Sequence, residues 1–88
     1  MSIERGTVVK SRAGHDRNGW FVVLSYEDAY AFIANGKSRT ISSPKKKKYI
    51  HLVLTKTVLS EDEMESDRSI HLALRCLDRK PSEGEVHV

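Results

Sequence analysis

Between positions 20 and 36 the chain reads Trp20-Phe21-Val22-Val23-Leu24-Ser25-Tyr26-Glu27-Asp28-Ala29-Tyr30-Ala31-Phe32-Ile33-Ala34-Asn35-Gly36. Trp20 to Ser25 is β-branched, aromatic and apolar on both faces, the pattern of a buried strand. Glu27-Asp28 makes a polar corner. Ala29 to Ala34 reads as a second strand, with Tyr30 and Phe32 on one face and Ala31 and Ile33 on the other. Asn35-Gly36 is a strong hairpin signal, because a type I′ turn needs positive φ at both central residues. The partner strand is therefore predicted over Lys37 to Ile41, with Lys37 and Arg39 on one face.

Working outward, Thr7-Val8-Val9 opens an extended run that ends in the loop Ala13-Gly14-His15-Asp16-Arg17-Asn18-Gly19. Ser42-Ser43-Pro44 and Lys45 to Lys48 read as a second loop, since adjacent lysines repel and Pro44 cannot donate to a ladder. Ile50 to Leu54 supplies a fifth strand. Five short strands at about ten-residue intervals argue a mainly β fold, a small antiparallel barrel. Ile70 to Cys76 alternates like a strand, but Ile70, Ala73, Leu74 and Leu77 also sit at helical spacing. Ser66 and Asp67 suit a helix start, while Arg79, Lys80 and Pro81 suit its end. One C-terminal helix is thus predicted over Asp67 to Lys80. Ser60 with Glu63 forms a capping-box pattern, compatible with an earlier turn over Glu61 to Glu65. The expected organisation is a barrel at 1–58, an acidic linker and packed helix at 59–80, and a flexible tail at 81–88.

The 88 residues carry 15 Lys and Arg against 12 Asp and Glu, a net charge of +3. That length suits one domain burying roughly 60% of its unfolded surface, too thin a core for an elaborate active site. The longest apolar run falls far short of the ~20 residues that span a bilayer, and MSIERGTVVK has no signal-peptide h-region. Cys76 is the single cysteine, which excludes an internal disulfide framework. The expected setting is soluble, reducing and cytoplasmic, and the free chain is expected to be a monomer. The small net charge conceals a division: residues 1–56 carry +7 and residues 57–88 carry −4. The first part has the electrostatics of a polyanion binder.

No catalytic constellation stands out. His15, His51, His71 and His87 have no paired metal spacing. The glycines make neither a dinucleotide fingerprint nor a Walker loop, and the acidic run from Glu61 lacks the positions of a calcium loop. The chain is read as non-enzymatic, without metal or cofactor. The basic residues differ because they follow the turns: Lys10, Arg12 and Arg17 around the first loop, Lys37 and Arg39 on the hairpin, and Lys45, Lys46, Lys47 and Lys48 as a four-charge arm. Lysines of this kind contact phosphate and release counterions, and arginines grip phosphate bidentately or stack on a splayed base. Nucleic acid is the expected partner.

The segment Gly6-Thr7-Val8-Val9-Lys10-Ser11-Arg12-Ala13-Gly14-His15-Asp16-Arg17-Asn18-Gly19-Trp20-Phe21-Val22-Val23 resembles a KOW motif. With Ala34 to Lys48 and Ile50-His51-Leu52, residues 3–58 are similar to small bacterial KOW proteins related to the fourteen-e type large-subunit ribosomal proteins. The resemblance implies an SH3-like barrel that binds RNA, usually ribosomal RNA, in the company of ribosomal proteins. It places Gly14, His15, Arg17 and Asn18 in the RNA-facing loop, and Lys37 and Arg39 in the basic hairpin. The acidic stretch departs from this pattern and is expected to lie away from the RNA. The alternative is an SH3-like protein-interaction module, with Trp20, Tyr26, Tyr30, Phe32 and Tyr49 as an aromatic groove. Most of these rings are expected to be core or strand-face residues. Exposed rings clustered away from the lysines would favour the alternative.

Overall fold

Strand β1 (Thr7–Ser11) is buried along nearly its whole length, and β2 (Trp20–Glu27) is buried over Phe21 to Val23 on both of its faces. Such strands need neighbours on either edge and cover above and below. The computed structural model, which describes residues 3–12 and 19–79, supplies both. Strands β3 (Tyr30–Ala34), β4 (Lys45–Lys48) and β5 (Leu52–Val58) complete one antiparallel sheet in the order β4-β3-β2-β1-β5. A single turn of 3₁₀ helix, Tyr49–His51, joins β4 to β5 and carries the chain between the two edges. Helix α1 (Asp67–Arg79) packs against β2. The fold is the one expected from sequence, a mainly β, barrel-like sheet of five strands with one C-terminal helix.

The sheet divides two apolar clusters. On one face Val8 and Val22 meet Leu59, Met64, Ile70 and Leu74, so α1 and the segment before it form the cover. On the other face Val9, Phe21, Val23, Ala31, Ile33 and Leu52 pack together inside the curved sheet. Two irregularities bend the ladder. Leu24 and Ser25 both oppose Phe32, a bulge in β2, and the β1–β5 register shifts between Thr7 and Val9. Bulges of this kind increase local twist and help a small sheet to curl.

The helix starts where Ser66 predicts. Its Oγ accepts from the Ser69 amide at 3.1 Å, and the Ser69 hydroxyl oxygen accepts from the Ser66 amide at 3.0 Å. One turn earlier, Ser60 and Glu63 exchange the capping-box bonds, 2.9 and 3.2 Å long. That turn holds Met64 in the core cluster.

Two expectations are corrected. Asn35-Gly36 does not open a hairpin, and Lys37 to Ile41 is not a strand: 36–39 is a bend, closed by the amides of Asn35 and Gly36 on the Arg39 carbonyl and followed by an isolated bridge between Thr40 and Ser43. Asn35 Oδ1 accepts from the amides of Lys37 and Arg39, both at 2.9 Å, so an Asn-capped loop replaces the ladder. The tight hairpin lies instead at Glu27-Asp28-Ala29-Tyr30, where Asp28 takes φ 44°. The strand paired with β3 is the lysine run itself, Lys45 to Lys48. Repulsion does not prevent it because the run occupies a sheet edge and alternate lysines point to opposite faces.

Candidate nucleic-acid interface

Strand alternation decides where each lysine goes. Cross-strand pairing of Phe32 with Lys46 and Tyr30 with Lys48 puts these four on the α1 side of the sheet. Lys46 and Lys48 are exposed, and the Lys46 ammonium stands 4.6 Å over the Tyr30 ring and 5.9 Å from that of Phe32. Lys45 and Lys47 face the opposite way, toward Ile33 and Ala31. Lys47 is only 9% exposed. The four lysines are therefore not one mobile arm but two pairs with different surroundings.

At the far end of the same sheet face, Lys10 and Trp20 are register partners, and the Lys10 ammonium lies 5.3 Å from the indole centroid. Trp20, Asn35, Lys37, His71, Leu74 and Arg75 line an open groove of about 210 Å³ beside it. Lys37 reaches it from the Asn35 loop, while His71 and Arg75, four apart, come from one side of α1. Among the described residues, no carboxylate lines this groove. Lys10, Lys37 and Arg75 thus gather around one indole, an arrangement suited to an anion that also carries a ring.

The remaining basic candidates spread around these two sites. Arg12 is exposed just past β1, its amide donating to the His51 carbonyl at 2.8 Å. Arg39 is half-buried on the Asn35 loop, so the hairpin face it was to share with Lys37 does not form. Gly14, His15, Arg17 and Asn18 lie outside the described residues. On the α1 side, Lys10 with Lys37 and Lys46 with Lys48 accordingly form two clusters rather than one continuous patch, while Lys45 and Lys47 face away. Along β2 the clusters are separated by roughly 15 Å, about five residues of strand rise. His71 and Arg75 went unread in the sequence. The i, i+4 pairing of two basic residues flanking Leu74 was the available signal.

The acidic segment is not on the opposite side. Glu61 accepts two bonds from the Arg5 guanidinium, at 2.9 and 3.2 Å, and Asp67 Oδ1 accepts the Ile41 amide at 2.8 Å. The acidic turn therefore sits on the α1 side of the sheet. The hydrogen bond from Arg5 holds the Glu61 carboxyl below its ordinary range, with the guanidinium's charge adding to the effect. Arg5 also donates to the Leu24 carbonyl at 3.0 Å, which fixes it at the edge of a second groove of about 380 Å³. That groove is lined by Arg5, Leu24, Ser25, Phe32, Ile41 and Pro44.

The aromatic residues occupy strand faces and the margins of the core, Trp20 and Tyr49 packing against the two apolar clusters. Trp20, Tyr30, Phe32 and Tyr49 are half-exposed and Tyr26 is 49% exposed, so none is a sealed core side chain. The fully buried ring is Phe21. Burial pushes the Tyr49 phenol up, with Tyr26 and Asp28 adding to the shift. Trp20, Tyr30 and Phe32 lie next to lysines rather than apart from them. Among the described residues, no three His, Cys, Asp or Glu side chains gather to hold a metal ion, and no helix is long and apolar enough to cross a membrane. Neither a family model nor a curated protein sequence matches the chain.

Proposed function

We propose that this chain is a non-enzymatic RNA-binding protein of the KOW ribosomal type, which binds ribosomal RNA in the cytoplasm through its basic face. The observation that carries the reading is the Trp20 groove. Lys10 and Lys37, both named from sequence, come together there with Arg75 and His71 around a half-buried indole, with no carboxylate among the described lining residues. Lys10 and Trp20 both belong to the segment that resembles the KOW motif. Phosphates would take Lys10, Lys37 and Arg75, each contributing about −0.7 to the log–log salt slope on single-stranded RNA. The indole offers a stacking surface that tolerates any base. Contacts to ribosomal proteins would fall to other surfaces, and fold alone does not decide among the ligands of such barrels.

The test is crosslinking in cells with sequencing of the attached RNA. Recovery of one ribosomal RNA segment is the expected result, and recovery of no RNA refutes the reading. In vitro, emission from Trp20, the single tryptophan, should change on titration with that segment. A Lys10→Ala, Lys37→Ala double variant should flatten the salt slope by about 1.4.

A further inference from the structure

Tyr30 and Phe32 pose a question that packing does not answer. Neither ring belongs to either apolar cluster, yet both stand half-exposed on the same face of β3. The exposed Lys46 ammonium lies over both rings. Lys48 lies beside Tyr30 across the β3–β4 pair. Phe32 forms one wall of the 380 Å³ groove, whose other walls include Leu24, Ile41 and Pro44, with Ser25 and Arg5 supplying polar groups.

We propose that this strip is a stacking platform for unpaired nucleotides, so that the RNA bound here is single-stranded rather than duplex. The inference rests on the RNA-binding reading above and names the class of RNA. Residues two apart on a strand are about 6.6 Å apart. Successive bases stacked in a duplex strand rise only ~3.4 Å, so a base on each ring requires a strand splayed out of the helix. A base on Tyr30 displaces the Lys46 ammonium from the ring, and that cation then meets the neighbouring phosphate. The next base enters the Phe32 groove, and Lys48 continues the phosphate track.

Several carboxylates lie within reach, and Asp67 accepts the Ile41 amide at the wall of the Phe32 groove. Glu61 is held by Arg5. Glu27 is 4.0 Å from Lys46 in an exposed pair that an arriving phosphate must replace. Glu27 therefore weakens binding, and Glu27→Gln should tighten it about two-fold, the scale of a weak surface ion pair.

The experiment measures fluorescence anisotropy with an unpaired ten-nucleotide RNA and with a blunt RNA duplex of the same sequence. The wild-type chain should prefer the unpaired RNA. Tyr30→Leu and Phe32→Leu should each weaken unpaired binding about ten-fold while leaving duplex binding within two-fold. Phe32→Tyr, which keeps the ring, should restore affinity, and unchanged thermal melting would show that the variants fold. Equal binding of both RNAs, or leucine variants that bind like wild type, overturns the platform while the RNA-binding reading stands. Binding to neither RNA by the wild type overturns both.

Discussion

Replacing Gly36 with Ala should cost this chain a large share of its stability, although the residue contributes no side-chain contact. Gly36 adopts φ 78°, and a Cβ built there would overlap the carbonyl oxygen of Asp67 and lie 2.9 Å from the amide nitrogen of His71. The left-handed conformation alone costs a side-chain-bearing residue about 1–2 kcal/mol. The overlap is with helix backbone, which cannot rotate aside, so α1 must shift away from the loop. That shift strains the Ile41 amide bond to the Asp67 carboxylate, of a class whose loss costs roughly 1.5–3 kcal/mol. Together these give about 3–5 kcal/mol, against a total of roughly 4–13 kcal/mol for a domain of this length. At 4–8 °C per kcal/mol, the melting temperature should fall by at least about 12 °C. Thermal melting followed by circular dichroism reads this directly. Ser38→Ala, which removes only an exposed bond to Asn35, serves as the control and should stay within about 0.5 kcal/mol. A loss under about 4 °C for Gly36→Ala would refute the claim that this glycine is required by the close approach of α1.

Ile70 is fully buried between α1 and the sheet, so Ile70→Ala should cost about 2–5 kcal/mol by denaturant unfolding. The Arg5–Glu61 pair predicts a pH dependence. Because the hydrogen bond from Arg5 holds the folded Glu61 carboxyl below the ordinary glutamate range, the pair's stabilisation is present above that range and is lost as pH falls through the lower folded value. Glu61→Gln should flatten this acid limb of the stability profile, and added salt should shrink the difference between the two proteins. Finally, Lys46→Ala with Lys48→Ala should lower RNA affinity and leave melting unchanged, whereas Lys47→Ala, at a 9% exposed position, should lower the melting temperature.

The sequence pattern made β1, β2, β3 and α1 legible because each buries a stripe, and burial leaves a period. The lysine strand left none. Its pairing with β3 is a tertiary choice between two possible partners, and local chemistry favoured 37–41. Gly36, though not Asn35, was legible as a site of positive φ but not as to cause: the close neighbour is the backbone of a helix thirty residues on, not a returning strand. The candidate site shows the same division. Lys10 and Lys37 stood out by their place around turns, while His71 and Arg75 join them only because α1 crosses the sheet beside Trp20. Tyr30 and Phe32 looked like strand-face residues, and only the Lys46 ammonium over them and the groove beside Phe32 mark them as a candidate platform.

The sheet is also a wall shared by two nearly separate apolar chambers. Side chains of one cluster do not touch those of the other except through the backbone of β1 and β2. Damage on the two sides should therefore combine almost independently, with double substitutions across the wall additive to within about 0.5 kcal/mol. The chamber under α1 is closed by the segment after β5, whereas the other is closed by the strands themselves. The strands can thus hold one intact core while the helix loosens, which allows the α1 side of the Trp20 groove to vary in sequence without rebuilding the barrel.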